Sequence, residues 1–133
     1  LHDLGKIHEM ASDAMGLVSE YTTEGLLLGH LVEGAAAVAR AGEKLGTRKE
    51  LVLMLQHMLI SHHDLPEYGS PRRPMFPEAE VLHILDLLDA RMFEMTHALG
   101  QIAPGTFTDR IWSLDRKLYR RLEPDGGEGE GEM

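Results

Sequence analysis

The first six residues of the chain, Leu-His-Asp-Leu-Gly-Lys, hold side chains that are well suited to metal chemistry. His2 and Asp3 are neighbours; a neutral imidazole and a carboxylate bind one divalent cation together, and a carboxylate also bridges two. Further His and Asp residues lie in apolar segments with a helical pattern, where a polar side chain needs a partner. These residues are His30, His62, His63 and Asp86.

The composition restricts the ligands to histidine and carboxylate, because the chain has no cysteine. This ligand set favours Mn²⁺, Fe²⁺, Co²⁺ or Zn²⁺ over Ca²⁺. The formal net charge is −9, but five of the acidic residues lie in the tail from Glu123 to Met133 and the remainder carries only −4. A broad nucleic-acid-binding surface is therefore not indicated by charge. No apolar run is long enough for a transmembrane helix, so we expect no membrane insertion. The absence of cysteine is compatible with a reducing cytoplasm, and a cytoplasmic location is expected.

Apolar spacing predicts an all-α chain that forms one domain over residues 1–122, followed by a disordered acidic tail at 123–133. No strand is predicted, and residues 11–22 read as a loop. Thr22 or Thr23 is expected to cap the second helix, Thr47 and Glu50 resemble a capping box for the third, and Pro77 starts the fourth. The apolar third helix is expected to be buried on most sides. The predicted helices end near residue 10 and span about 23–42, 47–60, 77–99 and 107–122.

Antiparallel helices can direct such residues into one central cavity, so the spacing predicts a metal site in the middle of a helical bundle. Asp3 would bridge two ions, which together polarise a phosphoryl oxygen and activate water. Other polar residues have plainer interpretations. His8 and His97 are expected on the surface, whereas His57, His83 and Asp89 are candidates to orient a ligand or to lie on a helix surface.

Several stretches together resemble the HD-domain superfamily of metal-dependent phosphohydrolases, and most closely the HD domain of the YhaM family of 3′-5′ exoribonucleases. The Tyr-Gly-Ser-Pro segment favours this family over other HD proteins. The resemblance covers nearly everything to about residue 120. The matching stretches are 2–6, 23–30, 59–63, 67–71, 77–80, 82–83, 88–92 and 107–111.

The resemblance implies a bundle of about five helices and a role for each matching residue. His2, Asp3 and Asp86 would bind a first ion, while Asp3, His30 and His62 would bind a second. His63 would be a ligand or a substrate contact. Lys6 would contact phosphate or orient the attacking hydroxide through its point charge. One or two divalent ions are implied, with Mn²⁺ as the expected metal.

Two features of the family lie outside this sequence. HD domains usually carry a further His on the helix before the His-Asp pair, and YhaM-type proteins carry an N-terminal OB-fold that grips single-stranded nucleic acid. We therefore expect the chain to be an N-terminally truncated part of a longer protein. The expected activity is 3′-5′ exonuclease action on single-stranded RNA, with Arg72 and Arg73 binding adjacent phosphates.

Two alternatives stay open at this point. The same site would serve a phosphohydrolase of free or cyclic nucleotides. The chain would otherwise be a non-catalytic regulatory or oligomerisation module, in which the apolar stripe of residues 107–118 packs on a partner subunit and forms a homo-oligomer. Metal stoichiometry and a substrate panel separate these readings.

Overall fold

The computed structural model of the protein describes residues 1–12 and 18–122. Four α-helices dominate: α1 at Lys6–Glu9, α2 at Thr23–Leu45, α3 at Lys49–Ser61 and α4 at Pro77–Gly100. One small antiparallel sheet pairs β1 at Met10–Ser12 with β2 at Val18–Tyr21. The predicted helical class is confirmed. The described chain divides into two compact units, the first from Leu1 to Asp86 and the second from Leu87 onward.

The sheet corrects the prediction of a loop over residues 11–22. Met10 leaves α1 with an extended backbone and pairs with Tyr21, so the predicted opening helix is limited to the single turn Lys6–Glu9. The strand forms because residues 10–12 pair with residues 18–21, and a strand of three residues is too short to show the apolar–polar alternation that would predict it. Residues 13–17 of the predicted loop lie outside the described residues, as does the predicted disordered tail at 123–133.

Helix α2 begins as predicted, because the Thr22 hydroxyl accepts a hydrogen bond from the Gly25 amide at 2.9 Å. It continues past Gly42, its predicted end, to Leu45, where Gly46 in the left-handed conformation terminates it. Gly42 instead lies inside the helix against Val52 of α3. Within the helix, Gly29 has φ 72° and ψ 163°, which places a kink immediately before His30.

Helix α3 forms close to its predicted position, but its N-terminal cap and its burial differ from the prediction. The predicted capping box is wrong: Arg48 occupies the N-cap position, and no side chain caps the helix. The expected burial on most sides is also wrong, since Leu51, Leu53 and Leu55 are exposed. One side of the helix packs on α2, where the Gln56 amide donates to the Ala35 carbonyl at 3.0 Å.

Helix α4 has the predicted start at Pro77 and extends to Gly100. The predicted last helix over 107–122 is wrong. The segment folds back on itself, with the Thr108 amide donating to the Leu118 carbonyl at 2.9 Å and the Phe107 and Tyr119 rings 5.0 Å apart. Asp115, with φ 55°, lies in the reversal. Cross-strand pairs between aromatic residues stabilise such a hairpin. The helical spacing of apolar residues in this segment therefore did not correspond to a helix.

Candidate metal centre

The first unit brings the predicted ligands together from four segments of the chain. His2 and Asp3 lie in the turn before α1, His30 follows the kink of α2, and His62 caps α3. Two groups of side chains each have ligand atoms within 4.8 Å of one another. We call their union the metal cluster; its members are His2, Asp3, His30, His62, His63 and Asp86.

Asp3 lies at the centre of the metal cluster. Its Oδ1 atom is 3.6 Å from Nε2 of both His30 and His62. Its Oδ2 atom is 3.4 Å from Nε2 of His2 and 2.8 Å from Nζ of Lys6. The two oxygens of one carboxylate therefore face different groups of side chains, as a bridging ligand requires.

For three of the four imidazoles in the cluster, hydrogen bonds fix which nitrogen is free to bind a cation. The Nδ1 atom of His62 lies 2.6 Å from the Leu59 carbonyl, which only accepts, so Nδ1 carries the proton and Nε2 keeps its lone pair. The same reasoning applies to His30, whose Nδ1 donates to Oε2 of Glu9 at 2.9 Å. It also applies to His63, whose Nδ1 donates to the Tyr68 carbonyl at 2.7 Å.

Three buried acceptor atoms converge without a partner among the described residues: Asp3 Oδ1, His30 Nε2 and His62 Nε2. Such atoms cost free energy unless something satisfies them. A divalent cation supplies what three facing lone pairs lack, and histidine with carboxylate is a donor set that divalent transition metals accept. The residues present therefore fit a divalent metal.

The protonation states agree with this role. Partial burial works against ionisation of Asp3, but the hydrogen bond and charge of Lys6 outweigh it and hold the pKa of Asp3 below its usual value. Burial lowers the pKa of His30, although the Glu9 carboxylate opposes the shift. Burial likewise lowers the pKa of His62, against the hydrogen bond to Leu59. Near neutral pH these shifts favour an ionised Asp3 and neutral His30 and His62, the forms that bind metal.

Neighbouring residues hold the cluster in place. His83 donates from Nδ1 to the His62 carbonyl at 2.8 Å, so it lies against a candidate ligand as one of its two interpretations anticipated. Ser70 is fully buried and accepts from the His63 amide at 3.1 Å. His57 is not part of the cluster; its Nε2 accepts from the Met75 amide at 3.1 Å. Asp89 is exposed.

Sequence reasoning missed Glu9. Its carboxylate and the His30 side chain are each 13% exposed, and the 2.9 Å contact fixes the His30 ring. A carboxylate one turn after Lys6 is the available sequence signal, and such a residue is too common in helices to single out. The contact forms because Gly25 lets the backbone of Glu9 approach α2.

The two predicted phosphate-binding arginines differ in their surroundings. Arg73 forms a bidentate ion pair with Asp64, with Nε–Oδ1 and Nη2–Oδ2 distances of 2.7 and 3.1 Å. That hydrogen-bonded pair lowers the pKa of Asp64 and raises the pKa of Arg73. Arg72 is exposed. Their substrate-binding role remains a prediction, and for Arg73 it requires exchange of a carboxylate for a phosphate.

The helical fold and a His-Asp pair at the centre of a metal cluster define the class of protein. Residues 1–91 match the family model described as HD domain, and the chain belongs to this family. In the described part of the chain, no helix is both long and apolar enough to cross a bilayer. The chain thus combines the fold of the HD-domain family with a cluster of side chains that fits a divalent metal.

Curated relatives narrow the comparison. The chain is 44% identical over 119 residues to the 3′-5′ exoribonuclease YhaM of Bacillus licheniformis. The aligned residues make up 90% of this chain and 37% of that protein. This chain is 43% identical to the protein of the same name from Bacillus subtilis, with the same coverage. The chain thus spans little more than a third of the length of these relatives. No solved structure gave a significant match.

Proposed function

We propose that this chain is the catalytic domain of a 3′-5′ exoribonuclease that hydrolyses single-stranded RNA and releases nucleoside 5′-monophosphates. The observation that carries the proposal is the convergence of three unpartnered buried acceptors, from Asp3, His30 and His62, in a chain 44% identical to such enzymes. Phosphodiester hydrolysis needs charge stabilisation at phosphorus, and a clustered cation site is suited to it.

Each member of the cluster has a part in the proposed reaction. Oδ1 of Asp3 would share one ion with His30, His62 and His63, while His2 and Asp86 would hold a second. Bound divalent ions, with Mn²⁺ as the proposed metal, would polarise the phosphoryl group and activate water. Lys6 balances the charge of Asp3 through its 2.8 Å contact and would orient a phosphate oxygen at the same place.

Calorimetric titration with Mn²⁺ tests the metal site first. We expect one or two ions to bind per chain. The His62→Ala variant should lose at least one of them, because His62 belongs to both groups of candidate ligands and its side chain is fully buried. His8→Ala is the matched control, since His8 is an exposed histidine outside the cluster, and should bind as the parent does. Identical binding by the parent and His62→Ala would contradict the assignment.

A substrate panel then tests the reaction. Single-stranded RNA, single-stranded DNA, free nucleotides and cyclic dinucleotides are incubated with the Mn²⁺-loaded protein, and products are separated by chromatography. Monophosphates released from the 3′ end of RNA are the expected result. Turnover of nucleotides alone would favour the phosphohydrolase alternative, and metal binding without any turnover would favour a non-catalytic module.

The wider setting of the domain also belongs to the proposal. The relatives are longer than this chain, so an N-terminal OB-fold in the parent protein remains proposed, together with a cytoplasmic location and a homo-oligomer. The division into a domain at 1–122 and a tail at 123–133 stays a prediction as well. Light scattering of the longer protein that contains this chain gives its mass and so tests the proposed homo-oligomer.

A further inference from the structure

A cavity of about 440 Å³ opens beside the metal cluster, and no role described above uses it. We call it the Tyr68 pocket. Its walls come from α2 around the kink at Gly29, from the end of α3, and from the turn that carries Tyr68. All of these segments belong to the first compact unit.

The lining of the Tyr68 pocket is mostly apolar and includes an aromatic ring. Leu26, Leu27 and Leu28 of α2 are all exposed, and Ile60 and Pro71 add further apolar surface. The Tyr68 side chain is 69% exposed, so its ring is accessible to a ligand. An open apolar cavity with an accessible aromatic ring suits a flat heteroaromatic group, which stacks on such rings irrespective of its sequence identity.

The position of the pocket selects among flat groups. The side chains of His30 and His63 belong both to its wall and to the metal cluster. A ligand seated in the pocket therefore lies against residues that also belong to the metal cluster, where the phosphate is proposed to bind. In a nucleotide, the base and the phosphate stand apart by one sugar, which matches an apolar cavity that adjoins a cation site.

Backbone contacts tie Tyr68 to the cluster. His63 donates from Nδ1 to the Tyr68 carbonyl at 2.7 Å, and Gly69, with φ 98°, turns the chain directly after it. The buried Ser70 hydroxyl then accepts from the His63 amide. The aromatic residue and a candidate ligand thus form one locally connected unit, so the pocket keeps a fixed place relative to the cluster.

We propose that the Tyr68 pocket binds the 3′-terminal nucleobase of the RNA whose scissile phosphate lies at the metal cluster, with the Tyr68 ring stacked on that base. This inference rests on the proposed function. It assigns Tyr68 to substrate binding rather than to the chemical step, and it predicts tolerance for all four bases, because every base offers a face for stacking.

Steady-state kinetics on single-stranded RNA test the inference. Tyr68→Ala should raise KM about tenfold and change kcat less than twofold, because stacking on one base is lost while the reacting groups stay in place. Tyr68→Phe should restore the parental KM. Tyr21→Ala is the matched control, because Tyr21 is an exposed tyrosine of the same unit outside the pocket, and it should leave KM unchanged.

A substrate lacking its terminal base separates stacking from other effects of the mutation. The parent should bind an RNA with an abasic 3′ end about tenfold more weakly, and Tyr68→Ala should add no further loss on this RNA. A 2-aminopurine base at the 3′ end should lose fluorescence on binding to the parent and keep it with Tyr68→Ala. This readout requires no turnover.

The outcomes distinguish the two proposals. If the parent hydrolyses RNA but Tyr68→Ala has the parental KM, the pocket assignment is wrong and the proposed function stands. Equal, additive losses from the variant and the abasic end would also overturn the assignment. If the parent hydrolyses no RNA in the substrate panel, the proposed function fails and this inference fails with it.

Discussion

At the scale of single residues, the cluster depends on the direction of each lone pair. Asp3 points its two oxygens toward different partners, and His30 and His62 each have Nδ1 occupied so that Nε2 is left for a cation. The acceptors of these Nδ1 protons are a carboxylate and a backbone carbonyl. Fixing the tautomer before binding lowers the cost of assembling the site, as the partners of metal-binding histidines commonly do.

Glu9 provides a direct test of this pre-organisation. Glu9→Ala should weaken Mn²⁺ binding about 10- to 100-fold in calorimetry, because the His30 ring loses its partner at 2.9 Å. Glu9→Gln, which keeps an acceptor, should lose less. Nitrogen NMR of His30 should show the Nδ1–H tautomer in the parent and a mixture in Glu9→Ala.

The matched control for Glu9 is Glu43→Ala, which removes an exposed carboxylate from α2. It should alter neither the metal affinity nor the His30 tautomer. An unchanged affinity in Glu9→Ala together with an unchanged tautomer would remove Glu9 from the account of the site.

The buried histidines also predict how stability depends on pH. Burial lowers the pKa of both His30 and His62. Below about pH 6.5, these histidines therefore bind more protons in the unfolded chain than in the folded chain. Stability should therefore fall as the pH drops below about 6.5. With a chelator present, the melting temperature should be lower at pH 5.5 than at pH 7.5.

His62→Gln and His97→Gln make the pH experiment specific. The first removes a buried titrating group and should flatten the pH dependence; the second changes an exposed histidine of α4 and should leave it as in the parent. A parental slope in His62→Gln would show that its burial does not carry the effect.

At the scale of elements, two glycines allow the segment around α1 to lie directly on α2. A Cβ on Gly25 would meet the Glu9 carbonyl oxygen at 2.3 Å, and a Cβ on Gly5 would meet the His30 carbonyl oxygen at 2.2 Å. Both contacts are with backbone, which does not move aside easily. Close backbone approach thus brings His2 and Asp3 of one segment to His30 of the other.

Gly25→Ala should consequently destabilise the fold by about 1–3 kcal/mol, the usual cost of overpacking. Urea unfolding followed by circular dichroism measures the change. Gly34→Ala is the control on the same helix, since its Cβ would meet Leu59 at an ordinary 3.5 Å and Ala favours the helix by up to about 1 kcal/mol. Equal stability of the two variants would be inconsistent with a tight contact at Gly25.

At the scale of the whole molecule, little of the apolar content is buried. Among the described residues, the buried hydrophobic side chains are Leu31, Ala79 and Leu118, while many large ones are exposed, including Leu53, Phe93 and Trp112. Exposed apolar surface of this extent is typical of chains that contact other protein. The net charge of −9 opposes self-contact at low ionic strength.

We therefore expect the chain to self-associate in a manner that salt strengthens. Its mass by light scattering should rise with protein concentration, and the rise should be larger in 0.5 M than in 0.05 M sodium chloride, because salt screens charge repulsion but not apolar contact. A monomeric mass under both conditions, or dissociation by salt, would contradict this expectation.

The sequence by itself determined the features that depend on residue type and on near neighbours in the chain. Residue types limited the metal ligands to histidine and carboxylate, the Thr22 cap and Pro77 located the starts of α2 and α4, and apolar spacing gave the helical class. These features depend on neighbours within a turn or two of helix, where periodicity and capping act. The motifs also carried the resemblance to HD domains, which the family match confirms.

Only the tertiary structure decided which distant residues meet. Glu9 reaches His30 across a close backbone approach, the strands β1 and β2 pair with each other, and residues 107–119 form a hairpin where helical spacing had predicted a helix. The Tyr68 pocket likewise combines α2 with the turn after α3. Contacts of this kind join residues far apart in sequence, so no local pattern encodes them, and packing overrides local preference.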